Sequence, residues 1–358
     1  MFRNIAIGVA VLAVAIFAIV QLFKVQIGER MFTRAIEQNI GTSAADDLVD
    51  GLHVGLCGAG SPLPDLSRSG PCTIVLAGEK VFVVDIGSGG TRNIGSMRLP
   101  VGSIEAIFLT HFHSDHIDGL GELLTLRWVQ GNHTEPVPVH GPIGVTQVVE
   151  GFNAAYRLDG GYRTAHHGAD IVPPSGAGGA PKPFSAIGLN GSVEVYNDGS
   201  VTVTAFGVDH SPIEPAVGYR IDYKGRSVVI SGDTVKHQNI IDNAQGADLL
   251  VHESLNAEWV GKMKDVADSR GLTVLSKIMH DILDYHATPI EAAETATEAG
   301  VSHLVLHHVV PPVPAPFLNP YYLKGTRDAF NGPITLGVDG MLFSLPAGSE
   351  DIDVTSLF

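Results

Sequence analysis

Three imidazoles and a carboxylate fall within six residues, at His111, His113, Asp115 and His116. That density of nitrogen and oxygen donors can seat two metal ions side by side. Imidazole with carboxylate suits zinc, and also manganese or iron, whereas a dedicated calcium site wants oxygen ligands alone. Two cations about 3.5–4 Å apart would lower the pKa of a shared water and make hydroxide available near neutral pH, with no Ser or Cys nucleophile required. The run therefore predicts a binuclear metal-dependent hydrolase with two zinc ions as cofactors.

The neighbouring elements must hold these donors in place. Apolar residues 104–109 read as a buried strand and residues 117–129 as the helix that follows, which sets the four donors on a strand-to-helix loop. Four donors cannot complete two coordination shells, so further ligands are expected to close other strands. His210 follows the strand pattern 201–206, Asp233 follows the apolar run 227–230, and His307-His308 close Leu304-Val305-Leu306. Each stands at the C-terminal end of a strand-like segment, where layered α/β folds assemble their sites. His252, His280 and His303, each alone, read as structural or solvated. Thr288-Pro289 with Glu291 reads as a helix start, so His286 just ahead of it is either a proton donor or part of that cap.

These residues carry a resemblance to the metallo-β-lactamase superfamily, and within it to the branch of ribonuclease Z and the arylsulfatase-like hydrolases. The resemblance runs from about residue 52 to residue 346. It rests on Gly58-Ala59-Gly60-Ser61-Pro62, the His-x-His-x-Asp-His run, His210 with Gly218-Tyr219-Arg220, Gly232-Asp233-Thr234, His286-Ala287-Thr288, and Leu306-His307-His308 ahead of Pro311. It implies a four-layer αββα sandwich, α/β (α+β) in class. It implies His111, His113 and His210 on one metal, Asp115, His116 and His308 on the other, and Asp233 bridging. His286 matches a further family motif and is the candidate general acid, and Glu253 is a candidate orienting or proton-relaying carboxylate. With Asp115 these are the candidate catalytic residues. Where the family usually has Thr-His this chain has His307-His308, and register favours His308.

With 358 residues, 44% of them hydrophobic, the chain can bury a sizeable core. One motif set spread along it favours a single hydrolase domain over residues 51–347. Residues 5–23 are apolar apart from Gln21, and at about 1.5 Å per residue they reach roughly 28 Å, close to the hydrocarbon thickness of a bilayer. No small-x-small cleavage site follows Lys24-Val25-Gln26, so residues 1–23 read as an uncleaved membrane anchor rather than a signal peptide. Residues 24–50 read as a stalk with a short helix ending near Gly41, and residues 348–358 as a loose acidic tail. The expected protein is single-pass, with its catalytic domain outside the cytoplasm.

Cys57 and Cys72 would lie near facing ends of the first two strands. An exported domain would join them, and a cytosolic one would keep both as small buried hydrophobes. Residues 171–191, rich in Pro and Gly, read as a loop without regular structure that overhangs the site. Arg163, His166 and His167 ahead of it either contact an anionic substrate or are simply exposed.

The expected substrate is a small phosphodiester, sulfate ester or related ester. A tRNA 3′-processing endoribonuclease is the alternative, but the resemblance implies for such enzymes a long basic arm after the Gly-Tyr-Arg-Ile strand. Only 23 positions separate His210 from Asp233, which leaves no room for it. A formal net charge of −16 points the same way, since polyanions are bound largely by Lys and Arg. The expected partners are thus a small-molecule ester and the membrane, with no nucleic acid. A non-catalytic metal-binding membrane protein is a third reading, and the full set of ligand positions argues against it.

Overall fold

The computed structural model describes residues 2–185 and 187–358. Met1 and Ala186, the latter within the expected loop 171–191, lie outside the described residues. The chain divides into two units, Met1–Asp47 and Leu48–Phe358. The first is dominated by a single helix, α1 (Phe2–Asn39), which runs unbroken through the stretch expected as a separate stalk helix. Its segment Ile5–Asn39 is long and apolar enough to cross a membrane, and it fits a membrane span or a signal sequence equally.

The second unit stacks two mixed sheets. In the first sheet β1 (Gly51–Gly58), β2 (Cys72–Ala77) and β3 (Lys80–Val84) pair antiparallel. From β3 the sheet continues in parallel through β4 (Ile104–Phe108), β5 (Val137–Gly141) and β6 (Gly179–Pro183). In the second sheet β7 (Ser192–Asn197), β8 (Val201–Gly207), β9 (Val217–Tyr223) and β10 (Arg226–Ile230) run antiparallel. Parallel pairing then adds β11 (Leu249–Leu255), β12 (His303–Val310) and β13 (Ile334–Leu336). Two last strands, β14 (Met341–Pro346) and β15 (Asp353–Ser356), return to the first sheet beyond β1.

Apolar residues alternating along these strands make the middle of the sandwich. Val54, Leu56, Phe82 and Phe108 of one sheet meet Val203, Tyr219, Ile221 and Val251 of the other, all essentially inaccessible to water. Helices cover the outer faces: α2 (Gly90–Ser96), α3 (Ser114–Ile117), α4 (Leu120–Gly131) and α5 (Val145–His167) belong to the first half. The second half carries α6 (Gln238–Asn243), α7 (Ala257–Ser269), α8 (Thr273–Asp281) and α9 (Pro289–Ala299). Here α9 buries Ala292, Ala293 and Ala296 with Leu250 and Leu304, forming the core outside the second sheet. This is the expected αββα order of layers.

Three expectations of detail change. The helix read over 117–129 starts earlier and in two pieces, so Asp115 and His116 sit in the helical turn α3. Residues 171–191 are not wholly irregular, because β6 pairs with β5 at the sheet edge. Residues 348–358 are not all loose: β15 pairs with β14, its one acidic side chain, Asp353, tolerated because it stays exposed. Cys57 and Cys72 are joined by a disulfide between β1 and β2.

Candidate metal centre

The carboxyl ends of β3, β4, β8, β10 and β12 converge, and the side chains at or just beyond them form one cluster. His111, His113, His210 and Asp233 bring their ligand-type atoms within 4.8 Å of one another, as do Asp115, His116 and His308. Asp233 lies between the groups: its Oδ2 is 3.8 Å from His111 Nε2, 3.9 Å from His210 Nε2, 3.3 Å from His116 Nε2 and 3.4 Å from His308 Nε2. His308 Nε2 is also 3.2 Å from Asp115 Oδ2. Donor atoms sharing a tetrahedral ion at about 2.0–2.1 Å are spaced by about 3.3 Å, so these separations suit ligands around common cations. The buried His111 Nε2, His116 Nε2 and Asp233 Oδ1 have no hydrogen-bond partner among the described residues. Buried polar atoms are rarely left so, and divalent metal would satisfy all three. The donor set therefore fits a metal pair.

Three of the imidazoles are turned by a second contact. Asp85, closing β3, accepts from Thr110 N at 2.8 Å, from the Thr110 hydroxyl at 2.7 Å and from His116 Nδ1 at 2.7 Å. With its proton given to Asp85, the Thr110 oxygen accepts from His111 Nδ1 at 3.1 Å. His210 Nδ1 donates to the Tyr285 carbonyl at 2.9 Å. In all three rings Nδ1 is occupied and Nε2 is left for a metal. Sequence reading missed Asp85; the available signal was a lone carboxylate ending the apolar run of β3.

Backbone conformation completes the aim. The β11–β12 register pairs Glu253 with His307 and Ser254 with Val309, so His308 is a bulge residue, with φ of 44°. The bulge turns His308 into the cluster while His307 stays outside it, which bears on the ambiguity of the His-His pair. Gly232 has φ of 62°, and a Cβ there would meet the Val217 carbonyl oxygen at 2.8 Å and Thr110 Cβ at 3.0 Å, so only glycine suits the turn that carries Asp233 inward. A Cβ on Gly87 would run into the Asp115 carbonyl.

Electrostatics divides the histidines. Burial holds His111, His113 and His210 below the ordinary imidazole range. Burial also works against charging His116, but Asp233, Asp85 and Asp115 outweigh it and hold its pKa well above that range. His286 follows the second pattern: burial opposes its charging, and Glu253, 3.1 Å from its Nδ1, raises it. Glu253 Oε1 also accepts from Ala287 N at 2.8 Å, fixing the segment that carries His286. Thr288 and Glu291 do form a capping box for α9, so the cap does not use the His286 side chain, which lines the cleft instead. His252, His280 and His303 stay outside the cluster.

A cleft of about 250 Å³ opens over the ligands, walled by Pro62 and Leu63 on one side and Ile278, Met279, Ile282 and Tyr285 on the other. Neither Arg163 nor the His166-His167 pair lines it. Arg163 instead pairs with Asp159 on α5 at 2.6 Å.

Residues 89–309 match the family described as the β-lactamase superfamily domain. Ribonuclease Z of Mycobacterium avium is 36% identical over 290 residues, covering 80% of this chain and 96% of its own length. Ribonuclease Z of Mycolicibacterium gilvum is 37% identical over 262 residues, covering 73% and 85%. Among solved structures, the short form of human tRNase Z matches with a TM-score of 0.59 and 22% identity, over 82% of this chain and 99% of its own. The metallo-β-lactamase fold protein YhfI of Bacillus subtilis matches with a TM-score of 0.59 and 18% identity, over 82% and 100%. These similarities overturn the expectation of no nucleic acid partner, since the relatives at 36–37% identity are named for a ribonuclease. The physical reason is that net charge sums the whole surface, whereas a metal pair presents its own strong local positive charge to phosphate. The family implies divalent metal binding and hydrolytic chemistry, in keeping with the His/Asp cluster. The chain is a member of the metallo-β-lactamase superfamily, in its ribonuclease Z branch.

Proposed function

We propose that this chain is a zinc-dependent phosphodiesterase that hydrolyses an RNA phosphodiester bond. The observation that carries the reading is the seven-residue donor cluster at the converging strand ends, in a chain whose ribonuclease Z relatives align along 80% of it. His111, His113 and His210 would hold one cation, Asp115, His116 and His308 the other, and Asp233 both. Bound there, the pair lowers the pKa of a water and offsets charge developing on a phosphoryl oxygen.

The protein's own part is orientation and proton transfer. Asp85, Thr110 and the Tyr285 carbonyl fix ring tautomers, and Asp115, which lines the cleft, would be among the residues holding the second cation. His286, whose pKa is raised by Glu253 against the effect of burial, faces the cleft and gives its proton to the leaving oxygen. The apolar walls at Leu63, Ile278 and Ile282 keep the reacting phosphate away from bulk water. The turn from β9 to β10, Tyr223 to Arg226, is tight, which favours an RNA end entering the cleft alone, without a long clamp beside it. Helix α1 anchors the protein in a membrane, and the disulfide supports a domain on the oxidising side.

The test is zinc content of the full chain beside cleavage of an RNA carrying a 3′ extension. About two zinc ions per chain and chelator-sensitive cleavage at one position are expected. Two zinc ions with turnover of aryl phosphodiesters but none of RNA would sink the substrate assignment. Absence of bound zinc would sink the metal assignment as well.

A further inference from the structure

We propose that a second ligand site lies between α4 and α5, outside the metal cleft, and that it takes an amphiphilic organic anion, an apolar body ending in a carboxylate or phosphate. The cavity there measures about 570 Å³, more than twice the metal cleft and within the size range of small-molecule sites. Leu124, Trp128, Phe152 and Tyr156 make its walls. Trp128 is 2% exposed, and its indole N–H donates to the Pro173 carbonyl at 2.6 Å, so it offers ring carbons to the space.

Apart from the Tyr156 hydroxyl, the remaining polar side chains of the lining are already committed. Thr125 donates to the Gly121 carbonyl at 2.9 Å, Thr164 to the Val172 carbonyl at 3.0 Å, and Asn153 exchanges both its hydrogen bonds with Gly179 at 2.9 Å. A ligand polar along its length, such as a nucleobase, would surrender water there for few free partners. Hydrocarbon loses nothing by entering. Arg157 differs: it is exposed at the rim and has no ion pair or hydrogen bond among the described residues. One unpaired guanidinium beside an apolar hollow is complementary to an anion carried on an apolar body.

Two glycines speak to the same use. Gly160 and Gly161 sit inside the 23-residue helix α5, where adjacent glycines weaken a helix. Packing does not demand them. A Cβ at Gly161 would meet nothing within 4 Å, and one at Gly160 would rest at ordinary distances, 3.7 Å from Trp128 and 3.9 Å from Ala177. What glycine achieves at 160 is to leave the space above the Trp128 ring open. This cavity shares no lining residue with the metal cleft.

Trp128 and Trp259 are the two tryptophans of the chain, and Trp259 packs elsewhere, against Tyr321 and Tyr322. In the full chain carrying Trp259→Phe, reconstituted in lipid vesicles, tryptophan fluorescence therefore reports Trp128 alone. Titration with 8-bromooctanoate and 8-bromooctyl phosphate should give saturable quenching, and the tighter of the two names the head group. The neutral 8-bromooctan-1-ol should bind about threefold to fivefold more weakly, the worth of one exposed charge contact. Gly160→Leu should abolish saturable quenching while Gly160→Ala keeps it, and Arg157→Ala should bring acid and alcohol level. If Gly160→Leu does not fold, the Arg157→Ala comparison decides. Absence of saturable quenching in the parent, quenching unchanged by Gly160→Leu, or tighter binding of 5-bromouridine 5′-monophosphate would each overturn the proposal.

Discussion

The two halves of the metal cluster differ in kind. The half formed by His111, His113 and His210 is all imidazole, and burial has already driven those rings toward their neutral, metal-binding form. The half formed by Asp115, His116 and His308 mixes carboxylate with imidazole, and Asp85 presses a further carboxylate against His116 at 2.7 Å. Nitrogen ligands alone favour zinc, while a carboxylate widens the choice toward harder ions. The all-imidazole group suits affinity and the mixed group suits adjustable charge, with Asp233 within reach of both.

Asp233→Ala should break both halves at once and give the largest loss. Zinc content should fall from about two to below one per chain, with turnover lost by more than about a thousandfold, because the proposed shared ligand of both ions disappears. His113→Ala and His308→Ala each remove one ligand from one half. If the halves are independent, each variant keeps about one zinc; if Asp233 couples them, both metals fall together, and zinc analysis of the folded variants tells the two apart.

Next in size is His286→Ala. The ring lies between the halves, its centroid 5.3 Å from that of His210 and 5.4 Å from that of His308. Removing a general acid should lower kcat by about 10²–10⁴. The sign in pH follows from the raised pKa: the acid form is needed, so activity falls as pH rises through a value above the usual histidine range. Glu253→Gln removes what raises it and should move that basic limb to lower pH. An unmoved limb in both variants would assign the limb to another group.

Asp85→Asn sharpens the comparison at one half. Loss of a carboxylate behind a metal-ligating imidazole typically costs about 10–100-fold in metal affinity. The effect should fall mainly on the second half, where Asp85 holds His116, leaving one tight zinc and one weak zinc in a competitive chelator titration.

Much of this was legible in the chain, for a local reason. His210, Asp233 and His308 each close a strand whose apolar residues announce it, and His111 to His116 lie in one run. The αββα layering followed from the same strands. Asp85 was not legible because its role arises from the parallel pairing of β3 with β4, which brings Asp85 beside Thr110 and His116 across 25 to 31 positions. Helix α5 was hidden because few of its residues face the core, Val145 and Val149 being buried, and its three interior glycines break the pattern. Strand β6 escaped notice because its two prolines sit at an edge, where a missing N–H costs little. The ribonuclease Z branch was legible in the motifs, but a nucleic-acid partner was set aside because net charge and arm length describe the surface as a whole, not the field in the cleft.

The smallest effect separates the halves most finely. Thr110 touches both: its hydroxyl donates to Asp85, which holds His116, and its oxygen accepts from His111. Thr110→Val keeps the shape and removes that link. Asp85 retains His116 Nδ1 and the Thr110 backbone N–H, so the second half should change little. His111 Nδ1 loses its acceptor in a fully buried place, which should cost about 1–3 kcal/mol of stability and weaken the imidazole half by a few-fold. Thr110→Ser should restore both. Zinc titration beside thermal denaturation reads the two effects, and a loss confined to the second half would mean that Thr110 acts only through Asp85.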